Sequence, residues 1–477
     1  MRKHALTLAA AISLVLTGCT MAPRYERPAA PVPDAWPSGA AYDPAQASEK
    51  TAADLPWREF IRDQKLQKVI EQALANNRDL RSALANIQSA RAQYRIQRSD
   101  LFPKLDGELS GTRQKSLNTF GGLGGADGSR AFENEFYSAS VGLSAFEIDL
   151  FGRVRSLSNA ALQSYLATAE AGRATQISLI AETASAYLTL AADNSRYELA
   201  RRTVESAQRT MEVTQKRLEA GVSSRLDVRQ AETVYQQARV DLASTTALIA
   251  QDRNALELLT GARIPDELLP AELPENHDWL ADVPAGLSSS VLLARPDVLQ
   301  AEHQLQSANA NIGAARAAFF PRLSLTASTG LASPELSDLF DDGTSIWSVA
   351  PNLVLPIFQG GANVANLSYA KAQRDLYVSQ YELAIQTAFK EVADALAIRG
   401  TIQDQLSAQR ALVDAAADSY QLAEARYTKG VDTFLNALDA QRTLYNAEKS
   451  LVSARLTASD NVVTLYRVLG GGLAGEE

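Results

Sequence analysis

Few residues of this 477-residue chain are of a type and spacing that could do covalent chemistry. The single thiol, Cys19, closes an apolar run that follows the basic Met1-Arg2-Lys3. One cysteine per chain can build neither an internal disulfide nor a cysteine metal cluster. His4, His277 and His303 are too scattered for a ligand set. No glycine-rich loop leads from a strand into a helix with phosphate-loop spacing, and no Ser, His and Asp lie together for nucleophilic catalysis. The sequence thus offers no catalytic residues, no metal site and no cofactor. What remains are groups that act by position. Asp414 and Asp418 lie one helical turn apart on one face. Arg217 and Arg426 each precede a Gly-Val pair, Gly221-Val222 and Gly430-Val431.

The thiol has a specific context. Ala5 to Leu16 is too short to span a bilayer, and Leu16-Thr17-Gly18-Cys19 ends in small residues. This resembles the bacterial lipobox, which implies removal of residues 1–18 and diacylation of Cys19, with the new amino group acylated as well. Several acyl chains hold a protein firmly on a membrane, whereas one binds only marginally. Thr20 follows, not the aspartate associated with inner-membrane retention, so the outer membrane is the expected address. The net charge of −9, more negative still without Arg2 and Lys3, and the lack of any basic run argue against a nucleic-acid partner.

The elements that position these groups are long. Arg153 to Ala220 contains no proline and one glycine, Gly172; Ala362 to Lys429 contains no proline and only Gly400. At 1.5 Å per residue each rod would reach roughly 100 Å. Before the first rod, residues 22–56 are Pro- and Ala-rich and read as an extended tether. Leu66 to Leu101 has apolar residues at helical spacing and ends at Phe102-Pro103. The period then changes to two. Tyr137, Ala139, Val141, Leu143 and Ala145 alternate with small or polar residues, and Leu105 to Thr112 alternates more weakly, which together predict a hairpin over about 104–149 around a Gly-rich segment, Phe120 to Gly128.

The second half repeats the first. Asp79 and Phe102-Pro103 map onto Asp297 and Phe320-Pro321 at an offset of 218, and later residues map at 209, placing Arg426, Gly430 and Val431 under Arg217, Gly221 and Val222. The expected organisation is a first repeat over 57–261, with its long helix at 153–220 and a helix at 224–260. A Pro-rich linker over 262–286 follows. A second repeat over 287–470 has a hairpin at about 322–357, a long helix at 362–429 and a helix at 433–469, before a tail at 471–477. Leu226 and Leu435 are expected to close the cores of the two helical hairpins. Pro351 and Pro356 remove ladder donors and predict an irregular last strand.

Four strands of eight to ten residues match a tilted bilayer span, yet cannot close a membrane barrel, which needs eight or more. Several chains must then share one, as no backbone edge can face lipid. A small soluble sheet with one buried face would show the same alternation.

At this point the chain resembles a known family. The duplicated plan, the Phe-Pro boundaries, Ala314 to Pro321, Glu147 to Gly152, the two Gly-Val tips and the terminal Leu469 to Gly472 are similar to the TolC-like outer membrane factors, and the lipobox to their OprM-like lipoprotein branch. The resemblance implies an α+β membrane protein. It would be a homotrimer with a 12-strand outer-membrane β-barrel, four strands per chain, continued by a 12-helix periplasmic barrel. It also implies a periplasmic adaptor protein and an inner-membrane pump of the resistance-nodulation-division class as partners, and small toxic molecules as cargo.

By the same resemblance, Arg217, Gly221, Val222, Arg426, Gly430 and Val431 would meet the adaptor at the helix tips. Asp414 and Asp418 would form carboxylate rings at a periplasmic aperture, favouring cations. Asp418 holds the place, counted from Gly430, where the family often has an acidic gate residue. Two other readings keep part of this picture: the same fold exporting proteins or metal ions, and a lipid-anchored periplasmic scaffold with no pore.

Overall fold

The structure, a computed structural model, describes residues 20–42, 55–117, 131–275, 279–283 and 288–471. The leader, Cys19, the Gly-rich segment at 120–128 and the tail beyond Gly471 lie outside the described residues. The chain divides into two units. The first comprises Met1–Pro28, Gln88–Ala167 and Ala301–Gln380; the second comprises Ala29–Ile87, Thr168–Gln300 and Tyr381–Glu477.

Helices come in two classes. Helices α1 (Trp57–Phe60), α2 (Gln64–Asn76) and α3 (Arg78–Ser99) precede the first strands. Two rods, α4 (Arg153–Glu219) and α7 (Ala362–Thr428), each run unbroken for 67 residues and contribute to both units. Helices α5 (Arg225–Thr260), α6 (Pro296–Ala317) and α8 (Phe434–Val468) complete the set. The single helix expected over 66–101 is broken. Asn77, buried, accepts from the Leu80 N–H at 2.8 Å and donates to the Leu259 carbonyl at 2.9 Å, so it caps α3 while tying the break to α5. No described helix is long and apolar enough to cross a membrane.

In the first unit the strands β1 (Asp106–Leu117), β2 (Ala131–Ile148), β3 (Arg322–Ser333) and β4 (Ser345–Val354) form one antiparallel sheet in chain order. The register gives the sheet two unlike faces. Leu109, Ala139 and Leu331 stand in one row, Leu143, Ala327 and Val349 in another, and Phe146, Leu325 and Pro351 in a third, all on one side. Ser110, Ser138, Ser140, Glu147, Ser324, Ser328, Ser348 and Asn352 occupy the other, interrupted by Phe136, Ile346 and Val354.

A bulge preserves this division. Between Leu143 and Phe146 the β2 strand carries one extra residue against β3, and Ala145 takes a left-handed φ of 51°. Its N–H donates to the Thr326 hydroxyl at 3.1 Å. Without that residue Phe146 and Ile148 would turn to the polar face. Pro351 sits in β4 on the edge of the sheet, opposite Leu325, and the β3–β4 register runs through it without a shift, so the irregularity expected of this strand is absent there.

The segment that follows Cys19 is pinned within the same unit. Arg27 makes a bidentate pair with Glu302 at 2.7 and 2.9 Å, and Tyr25 donates to the same carboxylate at 3.0 Å. Asn309 donates to the Pro23 carbonyl at 2.8 Å and Arg316 to the Met21 carbonyl at 3.2 Å. Gly313 makes room for it: a Cβ there would lie 2.7 Å from the Ala22 nitrogen.

The second unit holds a core of Trp57, Phe60, Ile61, Leu66, Ile70, Leu188, Leu256 and Tyr466, all fully buried. Phe60 stacks on Tyr466 with ring centroids 3.9 Å apart. Buried Arg295 bridges Asp297, Glu391 and the Val468 carbonyl. Described residues of the Pro-rich stretch pack on this core, through buried Ile264 and Leu273 and the hydrogen bond from Asn194 to the Pro270 carbonyl, 2.9 Å.

Candidate functional site

The two α-helical hairpins, α4–α5 and α7–α8, end in the same backbone device. Gly221 and Gly430 adopt φ of 75° and 73°. The Val222 N–H donates to the Arg217 carbonyl and the Gly221 N–H to the Leu218 carbonyl, at 2.9 and 3.0 Å. Val431 and Gly430 repeat this with Arg426 and Tyr427 at the same distances. This pairing closes both helix C-termini and requires a left-handed residue, which glycine adopts without Cβ strain.

The side chains around the two turns differ. Ser224 caps α5: its hydroxyl accepts from the Asp227 N–H at 3.1 Å, and Asp227 accepts from the Ser224 N–H at 2.8 Å. Burial pushes the Asp227 carboxyl up, but the hydrogen bonds from Ser224 and Ser223 and the charge of Arg217 outweigh it and hold the group below its ordinary value. At the second tip Asp432 takes the place of that cap. It accepts from the Thr433 N–H at 2.8 Å, from Arg426 at 3.1 Å and from Asn436 at 2.6 Å, which lower its pKa in that order.

Both tip arginines therefore work within the chain. Arg217 lies over the Tyr427 ring, 4.6 Å from its centroid, and Arg426 holds Asp432. The Arg217–Tyr427 contact joins the two hairpins at their tips, and Tyr427 in turn packs on Phe434 of its own hairpin, centroids 5.1 Å apart. Leu226 and Leu435 do not close the hairpin cores, being 65% and 55% exposed. Ala231, Phe434 and Leu438 do so, with Met211, Val234 and Tyr427 around them. The helices start at Arg225 and Phe434, which turns Leu226 and Leu435 outward. With Val222 and Val431, 65% and 64% exposed, these leucines form an apolar surface at the tips.

Asp414 and Asp418 are both exposed on α7, while Ala416 between them is buried. Neither carboxylate has an ion pair or hydrogen bond among the described residues. Both side chains are thus solvent-exposed and unpaired on the α7 surface. The described residues contain no group of His, Cys, Asp and Glu able to hold a metal ion.

The structure brings together one titratable pair that the sequence reading missed. Asp193 on α4 and Asp252 on α5 lie close enough for their charges to interact, with Arg196 paired to Asp193. Burial, then the charge of Asp193, push the Asp252 carboxyl up to about 6, and Arg196 only partly offsets them. Nothing in the spacing of residues 193 and 252 signals their meeting; it follows from the antiparallel return of α5 along α4.

Comparison with known proteins is consistent across three kinds of likeness. The family model described as outer membrane efflux protein matches residues 69–262 and again 287–471. The antibiotic efflux pump outer membrane protein ArpC and the toluene efflux pump outer membrane protein TtgC, both of Pseudomonas putida, are each 47% identical over 99% of this chain and 96% of theirs. The crystal structure of the open state of the MtrE outer membrane channel of Neisseria gonorrhoeae is similar in fold. It matches with a TM-score of 0.84 and 40% identity, covering 95% of this chain and 99% of that one.

Proposed function

The chain belongs to the outer membrane efflux protein family, and on that premise we propose that it forms the outer-membrane exit duct of a tripartite pump that expels small toxic molecules. The two-faced sheet with open edges carries this reading. Its apolar side exposes Leu109, Leu353 and Trp347, the last 78% exposed, as a lipid-facing strand surface requires. Its edge strands β1 and β4 leave backbone groups that hydrocarbon cannot satisfy, at several kcal/mol each. Copies of the chain would remove both edges by pairing them, and three copies supply 12 strands.

The rods would continue the duct into the periplasm. The apolar tip surface of Val222, Leu226, Val431 and Leu435 would receive a periplasmic adaptor, itself joined to an inner-membrane pump that supplies the energy. Gly221, Gly430, Arg217 and Arg426 would serve the same contact by fixing the shape of the tips. Asp414 and Asp418, unpaired on each chain, would become rings at the aperture and favour cations. Diacylated Cys19 would anchor the assembly. In support, Met21 is held by Arg316, six residues before β3 begins, and two residues of chain reach at most about 7 Å. The names of the relatives, antibiotic and toluene pumps, favour small organic cargo over proteins or metal ions.

The test is purification of the full chain from outer membranes. Heat-modifiable oligomers on denaturing gels and discrete cation-favouring conductance in planar bilayers are expected. A monomer without conductance would instead support the scaffold reading.

A further inference from the structure

The internal repeat specifies how one copy meets the next. In the first unit, the end of β2 lies against the start of β3: Ile148 is opposite Leu323 and Phe146 opposite Leu325. Just beyond the ladder, Phe151 stacks on Phe320 with centroids 4.7 Å apart and planes 23° from parallel. Each of these parts has a counterpart in the other repeat. Phe146-Glu-Ile-Asp-Leu-Phe151, leaving β2, corresponds to Leu353-Val-Leu-Pro-Ile-Phe358, leaving β4, with apolar residues at the same four positions. Phe320-Pro-Arg-Leu323, entering β3, corresponds to Phe102-Pro-Lys-Leu105, entering β1.

Within one chain, however, the counterparts do not meet. β4 and β1 are the two outer strands of the sheet, and Phe358 and Phe102 are 87% and 59% exposed. Leu355 and Leu105 are exposed beside them. The chain therefore carries one completed β2–β3 seam, closed by an aromatic stack, and the two separated halves of a second.

We propose that a second copy of this chain completes that seam in the same register, with Phe358 of one copy stacked on Phe102 of the next. This rests on the shared-barrel reading above. Transferring the β2–β3 pairing through the repeat places Leu355 opposite Leu105, Leu353 opposite Gly107 and Val349 opposite Gly111. The last pair uses the β4 counterpart of Val141 after the bulge residue is discounted, since β4 has no bulge against β3. Trp347 then lies opposite Arg113, a cation beside an indole face. The aromatic stack sits outside the ladder and fixes the register, since a slip of one residue would set the apolar face of β4 beside the opposite face of the neighbouring β1.

Cysteine pairs test this in the full-length protein in outer membranes. Neighbouring positions of an antiparallel pair alternate between close and wide geometry, so both Leu105→Cys with Leu355→Cys and Asp106→Cys with Val354→Cys are made. Oxidation of one or both should convert most chains into a reducible ladder of linked copies. Wild type, whose only cysteine is Cys19, should form none, and Leu109→Cys with Leu355→Cys, displaced by four residues, should stay unlinked. An intact oligomer that links only through the displaced pair, or through none, overturns the seam while leaving the shared barrel standing. A protein that is monomeric by native mass overturns both. In a second measurement, Phe102→Ala and Phe358→Ala should each lower the temperature at which the oligomer dissociates, and the double variant should fall no further than the worse single one. Additive losses would overturn the stack.

Discussion

At the scale of residues, the tips separate what glycine does from what valine does. Gly221 and Gly430 hold left-handed turns with open space around the missing Cβ, so Gly→Ala at either should cost about 1 kcal/mol through backbone strain alone. Val222 and Val431 contribute exposed surface, so Val222→Asp with Val431→Asp should leave melting and oligomer intact while raising dye accumulation most of the way to the level of a gene deletion. Normal efflux in that variant would confine the tips to capping. Asp418→Ala should raise single-channel conductance and weaken cation selectivity; unchanged values for both would reject its role at the aperture. Asp252 gives a pH signature of the fold. Its native pKa lies above the ordinary carboxyl value, so its ionisation destabilises the native state as pH rises from about 4 to about 6, and the cost persists above. Asp252→Asn should therefore melt higher than wild type at about pH 8, and the gap should close on acidification below about 6. A gap independent of pH would contradict the assignment.

At the scale of elements, the sheet depends on close approach. A Cβ at Gly330 would lie 2.2 Å from the Ala139 carbonyl oxygen, so Gly330→Val should part β2 from β3 and abolish assembled oligomer in the outer membrane, measurable on unheated gels. The alternation of Tyr137 to Leu143 and of Leu323 to Ala327 made these strands legible in the sequence, because a period of two is set by the pleat itself. The rods were legible too, since nothing in 153–219 or 362–428 stops a helix. The bulge at Ala145 was not, for it exists only against β3. Nor was the break at Asn77, whose partner carbonyl belongs to Leu259, 182 residues away. At the tips the glycines announced themselves by spacing, whereas the outward turn of Leu226 and Leu435 depended on where each helix began.

At the scale of the whole molecule, a four-stranded sheet that is apolar on one side and open at both edges is incomplete as a membrane structure, and identical copies would complete it. The repeat would make that completion economical, because the proposed contact between copies would reuse one already present inside each chain. No catalytic step is then required of the duct, and its specificity would reside in its pump. The proposed role of this assembly is to be the way out of the cell for small toxic molecules. Its most direct test is accumulation of a fluorescent hydrophobic dye in the native host, with pump and adaptor genes intact and no redundant duct. Deletion of the gene should raise accumulation to the level of a pump deletion, and the wild-type gene should restore it. Equal accumulation with and without the gene, across several dyes, would contradict the account.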